Sequence, residues 1–167
     1  NLYRAYTDND GRPFDRAGAL MDWRKIGLDK IQHRVASFSW QQLSASKVEV
    51  VVETVQSPYT TAPVCRTITT YTVYGDGSIR AKADFDPTEA KVNYLPRLGT
   101  RWQLSGELDR VIYYGRGPQE NYVDKKESAD IGLYEAKVAE LHEDYVRPQE
   151  NGAHCDTRFL ALTNALG

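Results

Sequence analysis

The run from Val64 to Phe85 constrains the fold more than any other part of the sequence. Its first half is rich in threonine, tyrosine, valine and isoleucine, and its second half alternates apolar and polar residues from Ile79 onward. Between the two halves lies Gly75-Asp76-Gly77-Ser78. An Asp-Gly pair between two such runs is the strongest short-range signal for a hairpin. The sequence therefore predicts an antiparallel β-hairpin over this run.

Other segments of the chain also have the character of strands. Residues 33–41 alternate with a period of two, which is typical of a half-buried strand. The full set of further predicted strands is 33–41, Val48–Val55, Arg97–Leu104, Arg110–Tyr114, Gly132–Ala139 and Thr157–Leu162. Two prolines predict a loop over residues 57–63, because proline cannot donate to a sheet ladder. The chain is predicted to be mainly β, as an antiparallel sandwich or barrel.

Residues 1–30 form an irregular entry segment in this interpretation. Thr7-Asp8-Asn9-Asp10-Gly11 concentrates residues that favour turns. A mixed helical stripe predicts one short helix from Asp15 to Ile26, and Gly27 would end it.

Length and charge limit the classes of function. A chain of 167 residues fits a single domain, 1–167, with a sizeable core. The formal net charge of -2 argues against nucleic-acid binding, which usually needs a basic patch. No apolar run reaches the roughly 20 residues of a membrane span. Cys65 and Cys155 match no metal-binding spacing, and they are either a disulfide pair or two free thiols.

Both ends of the chain indicate a segment of a longer protein. The chain opens on Asn1-Leu2-Tyr3-Arg4, with neither a starter methionine nor an apolar leader, so its compartment is not assigned. It stops just after a strand-like run, which predicts an incomplete domain with an open sheet edge or an apolar face.

A near repeat is the most unusual local feature. Pro118-Gln119-Glu120-Asn121 recurs as Pro148-Gln149-Glu150-Asn151. The amide and carboxylate groups of these two motifs can satisfy backbone groups and so lock two loops together, or they can bind the hydroxyl groups of a sugar. A metal site through Glu120 or Glu150 is a third interpretation, although hard cations usually need more oxygen ligands. The loop-locking interpretation is preferred for all six residues: Gln119, Glu120, Asn121, Gln149, Glu150 and Asn151.

The sequence contains no self-contained catalytic apparatus. Glycoside hydrolysis needs a pair of carboxylates. Two candidate pairs are Glu120 with Glu150 and Asp124 with Asp130, but many other acidic pairs of the chain fit this requirement equally well. His154-Cys155-Asp156 is a tempting cluster, but adjacent residues of a strand point to opposite faces. No catalytic residue and no metal ligand is therefore assigned.

Three segments together resemble a known family. They are Arg4-Ala5-Tyr6-Thr7-Asp8-Asn9-Asp10, Gly115–Lys125 and Tyr145–Gly152 with Asp156-Thr157-Arg158. In this order they resemble the large β-galactosidases of glycoside hydrolase family 2, at their C-terminal β-sandwich, the small chain domain. The resemblance implies a sandwich of the galactose mutarotase-like supersandwich type, without catalytic residues. It also implies a parent enzyme that removes terminal β-galactose with retention, using two glutamates of a separate (β/α)8 barrel.

The resemblance carries further implications for partners and site residues. The domain would pack on the catalytic barrel, help to shape the mouth of the active site and support contacts between subunits. The resemblance also implies that the parent enzyme is a homo-oligomer and uses Mg or Na ions. Trp23, Arg24 and Gly27 occupy the position of a mobile loop near the sugar, although Gly27 fits a plain helix end equally well. Lys125 replaces a common arginine, which would weaken a bidentate contact. A stand-alone carbohydrate-binding module and a mutarotase-like epimerase remain the alternatives.

Overall fold

The computed structural model describes residues 1–11, 18–59, 62–87 and 94–165. The described chain divides into two compact units. The four-stranded unit comprises Leu2 and Asp10–Leu98, and the three-stranded unit comprises Asn1, Tyr3–Asn9 and Gly99–Gly167. The predicted fold class is confirmed, because the described residues are mainly β with two antiparallel sheets and one short α-helix near the N-terminus.

The four-stranded unit is a simple antiparallel meander in the order β1-β2-β3-β4. Its strands are β1 (Ile31–Ser44), β2 (Lys47–Pro58), β3 (Cys65–Tyr74) and β4 (Ile79–Asp86). The predicted hairpin is confirmed as β3 and β4, which pair from Arg66 with Asp86 to Val73 with Ile79. In its turn, Asp76 Oδ1 accepts hydrogen bonds from the backbone N–H of Ser78 at 2.8 Å and from its hydroxyl at 2.7 Å.

Strand register gives this sheet one apolar and one polar face. The pairs align Trp40, Val50, Tyr71 and Ala81 in one row. A neighbouring row on the opposite face holds Gln41, Glu49, Thr72 and Arg80. The expectation of a half-buried β1 is wrong, since residues 32–44 are all exposed, including Trp40 at 65%. The period of a strand shows which residues share a face, but not whether that face is covered.

The buried residues of this unit lie around its helix and at one end of its sheet. The helix α1 spans Ala19–Lys25, so it ends one residue before the predicted end at Ile26. Gly18 precedes the helix, and the expected first residues 15–17 lie outside the described residues. The buried apolar side chains are Leu2, Leu20, Trp23, Leu28, Val55, Val64 and Cys65. Cys65 and Cys155 are both free thiols, so the disulfide alternative is wrong.

The three-stranded unit has the order β6-β5-β7, and among the described strands β5 and β7 are the paired strands that lie farthest apart in sequence. Its strands are β5 (Arg110–Gly117), β6 (Asp130–Lys137) and β7 (Phe159–Thr163), all antiparallel. Val111 and Tyr113 of β5 are each 1% exposed and form the centre of its core. Short 3-10 turns span Lys126–Ser128 and Val138–Leu141 in this unit and Leu28–Lys30 in the other. A further 3-10 turn, Asp8–Asp10, has its first two residues in this unit and Asp10 in the other.

Two predictions from the sequence fail in the connecting segments. The predicted strand Arg97–Leu104 is irregular chain, in which Gly99 exchanges backbone hydrogen bonds with Asn1 rather than with a strand. A segment whose side chains alternate does not form a β-strand unless its backbone pairs with a neighbouring strand. The predicted loop over 57–63 begins later, because β2 continues to Pro58 opposite Ile31; residues 60–61 lie outside the described residues.

Replacement of Gly27 by alanine is expected to destabilise the chain by about 1–3 kcal/mol. Gly27 has φ 74°, and a Cβ there would lie 2.9 Å from the Pro58 Cβ. Gly106→Ala is the matched control, because a Cβ at Gly106 meets nothing within 4 Å. Urea unfolding of both variants measures the difference, and equal midpoints would contradict the steric argument.

Candidate functional site

The first motif, Gln119-Glu120-Asn121, follows β5 and bonds to backbone groups of its own unit. Asn121 is 1% exposed, and its side-chain amide donates to the carbonyl oxygens of Arg116 at 3.1 Å and Gln119 at 3.2 Å. Its Oδ1 accepts from the N–H of Cys155 at 2.8 Å. The Gln119 side chain donates to the carbonyl oxygen of Ser128. The motif thus links β5 to the segment that precedes β7.

Glu120 accepts three hydrogen bonds in the site. Its Oε1 accepts from the Lys125 ammonium at 3.0 Å and from the Tyr145 hydroxyl. Its Oε2 accepts from the backbone N–H of Gly152 at 2.6 Å. With a side chain that is only 10% exposed, Glu120 joins the loop after β5 to the loop that carries the second motif.

The charges of this cluster stabilise one another. Burial raises the pKa of Glu120, but the hydrogen bonds from Tyr145, Gly152 and Lys125 outweigh it and lower that pKa below its ordinary value. The hydrogen bond to Glu120 raises the pKa of Lys125, and the bond to the same carboxylate also raises the pKa of Tyr145. The cluster therefore holds a carboxylate, an ammonium and a neutral phenol at neutral pH.

The second motif, Gln149-Glu150-Asn151, bonds to the opening segment of the chain and to a nearby loop. Gln149 Oε1 accepts from the N–H of Asp8 at 3.1 Å, and Glu150 Oε2 accepts from the N–H of Ala5 at 3.0 Å. Asn151 Oδ1 accepts from the N–H of Glu143 at 3.3 Å. The two motifs therefore have the same role, because the amide and carboxylate side chains of each form hydrogen bonds with backbone groups of other segments.

The two motifs share one cleft of about 140 Å³ within the three-stranded unit. Asn9 donates its side-chain amide to Asp124 at 3.3 Å beside this cleft. Residues of the opening segment, of both motifs and of the loops that follow them line it: Thr7, Asn9, Glu120, Asn121, Tyr122, Asp124, Lys125, Tyr145, Gln149, Glu150, Asn151 and Ala153. The nominated carboxylates Glu120 and Glu150 thus line one cleft, together with Asp124.

Arg116 organises the neighbouring loop and was not singled out from the sequence. Its Nη1 donates to the carbonyl oxygens of Lys126 at 2.9 Å and Ala129 at 2.8 Å. Its Nε pairs with Asp156 at 2.7 Å, and Lys126 pairs with the same carboxylate at 3.0 Å. These two cations lower the pKa of Asp156, whose φ of 54° is unusual for a residue other than glycine.

His154, Cys155 and Asp156 direct their side chains to different partners. The His154 ring contacts the carbonyl oxygen of Arg116 through Nδ1 at 3.0 Å and packs on Tyr113 at 4.7 Å between centroids. Cys155 Sγ lies 3.8 Å from the Asn121 carbonyl oxygen. These residues lie in a turn before β7 and not on a strand, so the strand geometry assumed for them is wrong, although their side chains do bond to different groups.

The predicted loop Trp23, Arg24 and Gly27 belongs to the four-stranded unit. Trp23 is 2% exposed, so its indole is part of the core there. Arg24 is exposed at the last turn of α1, and Gly27 adopts the left-handed conformation just after it, with its N–H on the Arg24 carbonyl oxygen at 3.0 Å. Gly27 therefore ends the helix, as the sequence predicts.

Acidification is expected to reduce the contribution of Glu120 to stability. Because its folded-state pKa is lowered, that contribution is present above the ordinary glutamate pKa of about 4.3 and is lost as the pH falls through the folded value. We expect the difference in unfolding free energy between the parent chain and Glu120→Gln to shrink from about pH 7 to about pH 3. Urea titrations across this range test it, and a difference that does not change with pH would contradict it.

The fold and the site define a mainly β module in which two repeated motifs fasten loops around a polar cleft. Over residues 1–167 the chain matches the family model described as beta galactosidase small chain, and it belongs to this family. It is 36% identical over 165 residues to a beta-galactosidase of Actinobacillus pleuropneumoniae, covering 98% of this chain and 16% of that protein. A beta-galactosidase of Vibrio cholerae is 36% identical over 173 residues, and one of Kluyveromyces lactis is 33% identical over 168 residues. These alignments cover 97% and 96% of the chain, and 16% and 15% of the two relatives.

Proposed function

We propose that this chain is a non-catalytic module of a β-galactosidase that hydrolyses terminal β-galactosides with retention. The observation that carries the proposal is the family match over the whole chain, together with relatives named beta-galactosidase of which the chain spans about 16%. Retention requires two carboxylates on opposite sides of the scissile bond, one as nucleophile and one as acid and base. In this proposal both belong to another domain of the parent enzyme.

The module contributes shape and support in this proposal. The six polar residues of the two motifs act through backbone hydrogen bonds, among them those of Asn121 with the N–H of Cys155 and of Glu120 with the N–H of Gly152. They fix the loops that face the rest of the enzyme. Arg24 and Gly27, at the end of α1, lie near the sugar at the mouth of the active site, and Trp23 anchors that turn in the core.

The partners of the module are the catalytic barrel and the other domains of the parent, which is a homo-oligomer in this proposal. Mg or Na ions would belong to the parent enzyme. Within residues 1–11, 18–59, 62–87 and 94–165, no three His, Cys, Asp or Glu side chains come together as a metal site would require. None of the chain's described helices is long and apolar enough to cross a membrane.

Hydrolysis of a chromogenic β-galactoside tests the proposal. The protein translated from the whole reading frame that contains this chain is expected to cleave it, with the β-anomer of galactose released first in NMR spectra. The chain of 167 residues by itself is expected to be inactive. An inactive whole protein would overturn the assignment, and activity of the chain alone would overturn its non-catalytic role. Heat on titration of the chain with galactose would favour a carbohydrate-binding module instead.

A further inference from the structure

The second motif ends in a chemically labile pair. Asn151-Gly152 is the only asparagine followed by glycine in the sequence. In such a pair the backbone nitrogen of the glycine can attack the asparagine side chain, because no Cβ shields it. Glycine is required at position 152 for a separate reason: its φ is 74°, and a Cβ there would lie 2.9 Å from the Leu141 carbonyl oxygen. The fold therefore requires the glycine that makes Asn151 labile.

Both reacting groups of this pair are held by hydrogen bonds. The attacking atom, the nitrogen of Gly152, donates its proton to Glu120 Oε2 at 2.6 Å. The leaving amide group of Asn151 donates to the Gln149 carbonyl oxygen at 3.1 Å, and its Oδ1 accepts from the N–H of Glu143 at 3.3 Å. A nitrogen that donates to a carboxylate is less able to lose its proton, and an amide fixed at both ends cannot turn toward it.

We propose that Asn151 is the site of spontaneous deamidation in this chain, and that the Glu120 carboxylate controls its rate by holding the Gly152 N–H. When that bond opens, the Gly152 nitrogen loses its proton to water or hydroxide and forms a bond to Asn151 Cγ. The bond from Cγ to the side-chain nitrogen breaks, and that nitrogen leaves as ammonia after taking a proton. Water then opens the cyclic imide to aspartate or isoaspartate. This inference is independent of the proposed function.

Aspartate or isoaspartate at position 151 would weaken the hydrogen bonds of the site. An aspartate at position 151 loses the amide donor to the Gln149 carbonyl oxygen and adds a negative charge among Glu120, Glu143 and Glu150. Isoaspartate also lengthens the backbone by one carbon atom, which displaces the Gly152 N–H from Glu120. Molecules with isoaspartate at this position would then lose the bond that joins the second motif to Glu120 of the first.

The test is peptide mapping by mass spectrometry after incubation at mildly alkaline pH, with aspartate and isoaspartate products separated by chromatography. We expect deamidation at Asn151 of the native chain to be at least about tenfold slower than in urea. In buffer, Glu120→Gln is expected to accelerate it by about tenfold, because the neutral amide accepts the Gly152 N–H less strongly. Asp156→Asn makes the same change from acid to amide in this unit, away from Gly152, and is expected to have little effect.

Three outcomes would overturn the proposal. The first is an equal rate at Asn151 in buffer and in urea, which would mean that the fold does not protect the pair. The second is a rate in Glu120→Gln that is equal to or below that of the parent chain, since Glu120 would then act as a base or not act at all. The third is earlier deamidation at another asparagine, such as Asn121, which precedes the bulky Tyr122. If Glu120→Gln does not fold, the comparison between buffer and urea still decides whether the fold protects Asn151, which the proposal requires.

Discussion

Asn121→Ala is expected to destabilise the three-stranded unit by about 2–4 kcal/mol. Asn121 is 1% exposed, and its loss leaves the part-buried N–H of Cys155 without its acceptor and removes the amide donor that the Arg116 carbonyl oxygen shares with His154. A buried polar group without a partner keeps the full penalty of its lost hydration. Urea unfolding followed by circular dichroism measures the difference.

The twin motif supplies the matched control. Asn151→Ala removes the same side chain from a half-buried position, where water can replace it on the N–H of Glu143. Its expected effect is about 0.5–1.5 kcal/mol. An effect for Asn151→Ala as large as that for Asn121→Ala would mean that burial does not distinguish the motifs.

Trp23→Ala is expected to cost about 3–5 kcal/mol, the largest effect of any single substitution considered in this chain. Trp23 is 2% exposed and lies among the buried residues of the four-stranded unit, so its removal leaves a large cavity. Loss of buried apolar surface and of packing contacts adds to the effect. The unfolding free energy from urea titration is again the measurement.

Trp40→Ala is the matched control, because it removes the same side chain from an exposed position. Trp40 is 65% exposed on β1, and its replacement is expected to change the unfolding free energy of the chain by no more than about 0.5 kcal/mol. If both tryptophan variants lose similar stability, the burial of Trp23 is not what stabilises the unit.

Local patterns were sufficient to predict most of the strands. The hairpin of β3 and β4 depends on a turn of four residues and on alternation, which are both properties of neighbouring residues. The end of α1 at Gly27 is similarly local. Arg97–Leu104 has the same kind of pattern, but it does not pair with a strand and is therefore irregular chain.

The site was only partly predictable from the sequence. The repeated motifs pointed to Glu120 and Glu150, because two copies of an unusual tetrapeptide are visible without a structure. Tyr145 and Arg116 were missed as partners, although both stand inside the segments that carry the family resemblance. Their contacts join residues that are distant in sequence, such as Arg116 and Asp156, and no spacing rule relates such residues.

The sequence by itself determined the β character of the chain, its hairpin, its helix end and its two Pro-Gln-Glu-Asn motifs, because each depends on the conformational preferences of a few adjacent residues. The tertiary structure alone decided burial and partnership. It placed Trp23 in a core and left Trp40 exposed, and it gave Glu120 three donors from three loop positions. Burial and long-range hydrogen bonds depend on which segments come together in the folded chain. The exclusion of water by these segments makes apolar burial stabilising and strengthens the hydrogen bonds.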